Sequence, residues 1–125
     1  MNIYDRTREF AEELKTCDEV VDLQRLSQRI KNNEDYTRIL SDFRKIQVEA
    51  YSQQVQNGKI SEEIMEKFKN MGSVISANPP VNEYIQAEQK FSVMWQDILK
   101  ILNDAIGVDF SFGKDKNKVN VPENR

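Results

Sequence analysis

The sequence predicts an all-α fold, with about five helices in an antiparallel bundle, two of them long, and an oligomeric assembly. Three observations predict it. Apolar residues recur at spacings of three and four along most of the chain, the period of a helix with one buried face. Glycine and proline are scarce and fall where helices should end, at Gly58, Pro79, Pro80, Gly107 and Gly113, with Gly72 as the exception. The stretch from Asn78 to Gly107 opens on Asn-Pro-Pro and continues as a helix that is apolar over about half its circumference.

The first helix is expected over Ile3 to Lys15, with Tyr4, Phe10, Ala11 and Leu14 at helical spacing. Thr16 stands three residues before Glu19, a capping-box signature for the start of a second helix. That helix runs to about Lys31 on a stripe of Val20, Leu23, Leu26 (or Ser27) and Ile30, and Asn32-Asn33 supplies the stop and restart. The third, about Glu34 to Gln56, sets Tyr36, Ile39, Leu40, Phe43, Ile46, Ala50 and Tyr51 on one face. Asn57-Gly58 ends it in a left-handed cap, and Ser61 before Glu62-Glu63 opens a fourth with Ile64, Phe68, Met71 and Ile75 inward. Gly72 marks either a close helix contact or a weak turn. Asn78 then caps a fifth helix, about Pro80 to Ile106, with a proline at its first position.

On a wheel of about 100° per residue, the apolar residues of the fifth helix span roughly 200°, about twice the stripe that one neighbour requires. The surplus predicts an interface between subunits, with Phe91, Met94, Trp95 and Ile98 as its buried anchors. After Gly107, Val108 to Phe112 alternates like a short strand, and Lys114 to Arg125 is polar. Residues 1–107 therefore read as a helical bundle domain and residues 108–125 as a partly disordered tail.

Composition sets further bounds. A chain of 125 residues with 38% hydrophobic and 31% charged residues fits one lean domain, which gains from oligomerisation. A net charge of −3 with both signs interspersed makes nucleic acid an unlikely partner, because phosphate affinity needs clustered Lys and Arg. Nothing at the N-terminus pairs a basic region with a long apolar run, and no stretch reaches the roughly 20 apolar residues of a membrane span; both point to the cytoplasm without membrane insertion. The absence of histidine removes the commonest general base and metal ligand. No phosphate loop, Ser/His/Asp set or CxxC pair occurs, so no catalytic residue and no metal ligand is assigned and an enzyme is not expected.

Two polar residues interrupt the apolar stripes. Gln47 on the third helix and Glu88 on the fifth fall inside them, and a buried carboxylate needs a donor. Gln47 and Glu88 are expected to meet as a register-fixing pair, within a chain or across a subunit interface, with Arg44 as counter-charge. Cys17 lies in the first turn of the second helix, where the dipole lowers a thiol pKa, but Asp18 and Glu19 oppose that effect, leaving a quiet interhelical residue.

Phe43-Arg44-Lys45-Ile46-Gln47 in the third helix, Gly58 after it, Asn78-Pro79 at the break and Tyr84-Ile85-Gln86-Ala87-Glu88-Gln89-Lys90-Phe91 in the last helix resemble the YlbF/YmcA family of small helical proteins, found mainly in Gram-positive bacteria. The resemblance covers about Ile3 to Gly107. It implies a non-enzymatic regulator that forms homo-oligomers or mixed complexes with paralogues. Some members join a complex that promotes RNA processing by a membrane-associated endoribonuclease and supports competence, sporulation and biofilm formation. That complex is associated with iron–sulfur clusters bound through cysteines, including ones near members' C-termini. This chain has no cysteine after Cys17, so no cofactor is expected unless other chains supply the ligands. The rival expectations are a helical holdase for unfolded chains, and a weak RNA-binding subunit using Arg38, Arg44, Lys45 and the lysine-rich tail.

Overall fold

The computed structural model describes residues 2–109. Five helices follow in order: α1 Ile3–Thr16, α2 Asp18–Lys31, α3 Glu34–Asn57, α4 Glu62–Ser76 and α5 Pro79–Ile106, with no strand among the described residues. The all-α expectation and the two long helices hold. Residues 110–125, which include most of the strand-like alternation and the polar tail, lie outside the described residues.

Three of the five helix starts form where short polar side chains meet free backbone donors. Asn2, Asn33 and Ser61 accept from the amides of Asp5, Tyr36 and Ile64 at 2.9, 3.0 and 3.2 Å. Gly58 and Gly107 end α3 and α5 at φ 78° and 68°, the left-handed conformation that an L side chain resists. Two starts differ from expectation. Thr16 is the last residue of α1, and its hydroxyl donates back to the Glu13 carbonyl at 2.8 Å, so no capping box forms. Cys17, extended at φ −75° and ψ 154°, is the N-cap of α2 and makes no side-chain cap bond. Asn78 does precede α5, which begins at Pro79, but its amide donates to the Val74 carbonyl at 2.8 Å and closes α4 instead. Pro80 has no N–H to offer a capping oxygen, and the Val81 N–H is donated to the Asn78 backbone carbonyl at 2.9 Å, so the Asn78 side chain is free to serve the helix behind it.

The helices form two antiparallel pairs, α2 with α5 and the consecutive hairpin of α3 and α4. α2 lies along α5 in the most extensive contact of the chain, with Cys17 near Met94 at one end and Arg29 near Glu83 at the other. α3 lies along α4, tied by an edge-to-face contact of Phe43 and Phe68 with centroids 6.4 Å apart, and by Ser61 N–H donating to Gln53 at 2.8 Å. The two pairs join through Asn32-Asn33 and Ala77-Asn78, and the core sits beside those turns. Ile30, Ile75 and the fully enclosed Val81 form it, packed by Tyr36, Ile39, Leu40, Phe43, Tyr84 and Ile85. Ile64 and Ala50 are buried further along the α3/α4 hairpin. α1 contributes no buried residue and, among the described residues, comes close to no helix but α2.

Gly72 marks no close contact, because a Cβ built there meets nothing within 4 Å. Of the two sequence alternatives, the weak turn is the one that stands.

Candidate functional site

α5 changes surroundings halfway along its length. Its first turns are enclosed, with Pro80, Val81 and Ala87 buried and Tyr84, Ile85 and Glu88 half-buried. From Trp95 onward the same apolar face continues with less cover from the described residues: Ile98 is still half-buried, but Trp95, Leu99, Leu102 and Ile106 are 39%, 41%, 50% and 56% exposed, and Ile101 is 66% exposed. Isolated apolar residues on a surface are ordinary, whereas a run along one helix face is the mark of an interaction site. Phe91 and Trp95 stack where the change occurs, with ring centroids 5.9 Å apart and planes 16° from parallel. Of the four expected anchors, Phe91, Met94 and Ile98 are half-buried and Trp95 is exposed.

Glu88 sits just before this bare stretch and is held by its own chain. Arg44 Nη2 donates to Glu88 Oε2, and the Tyr84 hydroxyl donates to the same oxygen at 3.3 Å. The bond to Glu88 outweighs the desolvation of Arg44 and holds its guanidinium firmly protonated, above the ordinary arginine value. Burial raises the Tyr84 phenol, and the Glu88 charge raises it further, keeping it a neutral donor. Arg44, not Gln47, therefore supplies the donor that Glu88 requires within the chain. Gln47 is exposed on α3, one helical turn beyond Arg44. Wheel position on α3 alone did not separate the two, because it carries no information on how α3 is set against α5.

α3 corrects a second expectation. Tyr51 is 56% exposed instead of inward, and Val48 and Val55, absent from the predicted stripe, are exposed at 68% and 64%. Val48, Tyr51 and Val55 follow Arg44 at spacings of four, three and four, so they form a second outward stripe. The signal was present in that spacing and was masked by the inward stripe on the neighbouring face. A shallow depression of about 520 Å³ lies over Thr37, Leu40, Ser41, Arg44, Lys45, Val48 and Glu49. Every lining residue belongs to one helix, so it lacks the surrounding walls with which a small-molecule site encloses its ligand.

Other chemistry has little footing here. No group of three or more His, Cys, Asp or Glu residues is placed to hold a metal among the described residues. Cys17 is half-buried and donates to the Leu14 carbonyl at 2.9 Å, with the Met94 sulfur 3.9 Å away. Two of the basic residues that an RNA surface on α3 would use are engaged, Arg38 with Asp35 at 2.9 Å and Arg44 with Glu88. No helix among the described residues is long and apolar enough to cross a membrane.

Comparison with known proteins gives a consistent answer. The family profile described as "Control of competence regulator ComK, YlbF/YmcA" matches residues 3–107. A UPF0342 protein of Clostridium tetani is 48% identical over 116 residues, covering 93% of this chain and 100% of that relative. One from Clostridium novyi is 46% identical over 110 residues, 88% of this chain and 96% of the relative. A third, from Halothermothrix orenii, is 36% identical over 102 residues, 82% of this chain and 86% of the relative.

Proposed function

This chain belongs to the YlbF/YmcA family, described as controlling the competence regulator ComK, and on that premise we propose that it is a regulatory adaptor which acts by presenting the distal face of α5 to other helices. The supporting observation is the group of exposed apolar residues beyond Phe91, Trp95, Leu99, Leu102 and Ile106, which continue the core stripe and are left largely uncovered by the described residues. Phe91, Met94, Trp95 and Ile98 anchor the contact, and charged residues such as Asp97 and Lys100 form its rim. The partners are further copies of the chain, paralogous helical proteins, and through them a ribonuclease-associated complex. The protein carries out no reaction and needs no cofactor of its own; an iron–sulfur cluster would require cysteines from other chains. Its place of action is the cytoplasm.

Two linked measurements test this reading. Light scattering gives the mass of the purified chain, and a tagged copy expressed in its native host is recovered with whatever it binds. The expected result is a mass above that of one chain and specific recovery of paralogues, both lost in a Trp95→Glu variant that keeps its helix content. A monomer that recovers nothing specific would refute the adaptor reading. Recovery of many unrelated unfolded chains instead would favour a holdase.

A further inference from the structure

Resting on the assembly reading above, we propose that a second copy of this chain covers the bare half of α5 with its α1, the two protomers exchanging these helices about a two-fold axis. α1 is amphipathic by sequence and yet buries nothing: Ile3, Tyr4 and Phe10 are 71%, 69% and 42% exposed. Among the described residues it comes close to no helix but α2, and apart from Leu14, which is half-buried, its apolar side is left open.

The junction explains why the two stripes do not meet in one chain. Cys17, between α1 and α2, sits beside Met94, which is where the uncovered half of α5 begins. α1 and distal α5 thus depart from one point, and α1 stays clear of α5 from there on. Their lengths match, since α1 has 14 residues and α5 runs thirteen from Met94 to Ile106, about 20 Å each at ~1.5 Å per residue. Two such forks related by a two-fold can close on each other, each α1 entering the partner's opening, which gives the self-complementary contact of a cyclic dimer.

Area favours both helices taking part. Scaling the exposures by ~100 Å² for an aliphatic side chain and ~150–200 Å² for an aromatic one, Trp95, Leu99, Ile101, Leu102 and Ile106 offer about 300 Å² of apolar surface. A standard interface covers ~800 Å² per partner, of which ~450–500 Å² is apolar. Distal α5 alone falls short of that. Ile3, Tyr4 and Phe10 add about 250 Å² and bring the total to the required size.

The test uses the full-length chain in a Cys17→Ser background. One preparation carries Phe10→Cys and the other Leu102→Cys, with different affinity tags; after mixing and exchange they are treated with a short bismaleimide. The expected result is efficient linkage between the two tags, and a dimer dissociation constant raised at least tenfold by Phe10→Asp with helix content unchanged. A dimer that links Leu102→Cys only to itself, or that ignores Phe10→Asp, would overturn the exchange and leave assembly through α5 intact. A natural chain that is monomeric by light scattering would also overturn the exchange. In that case, recovery of specific partners through the Trp95 face would decide whether the adaptor reading survives.

Discussion

Leu102→Glu separates what α5 does for its own chain from what it does for a partner. Leu102 is 50% exposed, so about half of the ~1.5–3 kcal/mol available from burying a leucine, roughly 1 kcal/mol, is not realised in the lone chain. Glutamate is as good a helix former as leucine, and a carboxylate near the C-terminal end of α5 costs only a few tenths of a kcal/mol through the helix dipole. The monomer should therefore keep its helix content and lose no more than about 1 kcal/mol of unfolding free energy. In an assembly through this face the cost is larger. Each copy forfeits its roughly 1 kcal/mol of apolar burial and leaves a carboxylate short of partners at about 1–3 kcal/mol.

A dimer contains the substitution twice, so its affinity should fall by about 4 kcal/mol or more, on the order of a thousandfold at ~1.4 kcal/mol per decade. Light scattering across a dilution series reads the mass, and circular dichroism with urea titration reads the monomer. Unchanged mass would mean that distal α5 lies in no interface, and the reasoning from its exposure would fail. Loss of helix content would fail it differently, by showing that Leu102 belongs to the core of the lone chain.

Gly72→Ala should stabilise the protein by about 1 kcal/mol in urea titration, since the site is helical and an added Cβ meets nothing within 4 Å. Gly58→Ala, placed at φ 78° in equally open space, should instead cost about 1–2 kcal/mol from backbone strain alone. Glu88→Leu should preserve helicity yet loosen assembly or scramble its register; unchanged mass and unchanged partner recovery would sink that role. A double-mutant cycle of Arg44→Met with Glu88→Leu should give a coupling of no more than about 1 kcal/mol, because both side chains remain partly in water. Burial and Glu88 raise the Tyr84 phenol, so the unfolded chain ionises first. The contribution of Tyr84 to stability should be constant below about pH 10, the unfolded tyrosine value, and fall above it until the folded phenol also ionises; Tyr84→Phe should flatten that limb of a pH–stability profile.

Much of the fold was legible because its signals are local. A 3.6-residue period, an asparagine or serine before it and a glycine after it each act within one turn, and all five helix starts and both glycine ends fell within a residue or so of expectation. What escaped depends on competition between neighbours for one side chain. Thr16 could cap α2 or bond back into α1, and Asn78 could serve the helix before or after it; spacing permits both choices, and only the competing geometry selects. Pairing across helices was harder still. The wheel of α3 puts Gln47 inside the apolar stripe, yet Gln47 is exposed and Arg44 pairs with Glu88, because the placement of α3 against α5 is absent from any single-helix wheel.

The same limit explains why the sequence predicts a partner for α5 without saying where it docks. Val81, Tyr84, Glu88, Phe91, Trp95, Ile98 and Leu102 follow one unbroken alternation of three and four, the seam of a helix that packs against others throughout its length. Periodicity records that each of these positions leaves water, and it is silent on whether the cover comes from the same chain. The structure divides the seam at Glu88. Before it, Val81 and Tyr84 meet α2, α3 and α4; after Phe91 the cover thins and stops. An ion pair suits that border, because Arg44 and Glu88 satisfy one another and remain half in water, where an apolar residue would extend the core and an unpaired charge would oppose it. The pair ties α3 to α5 at the point where the enclosed half of α5 gives way to the more exposed half.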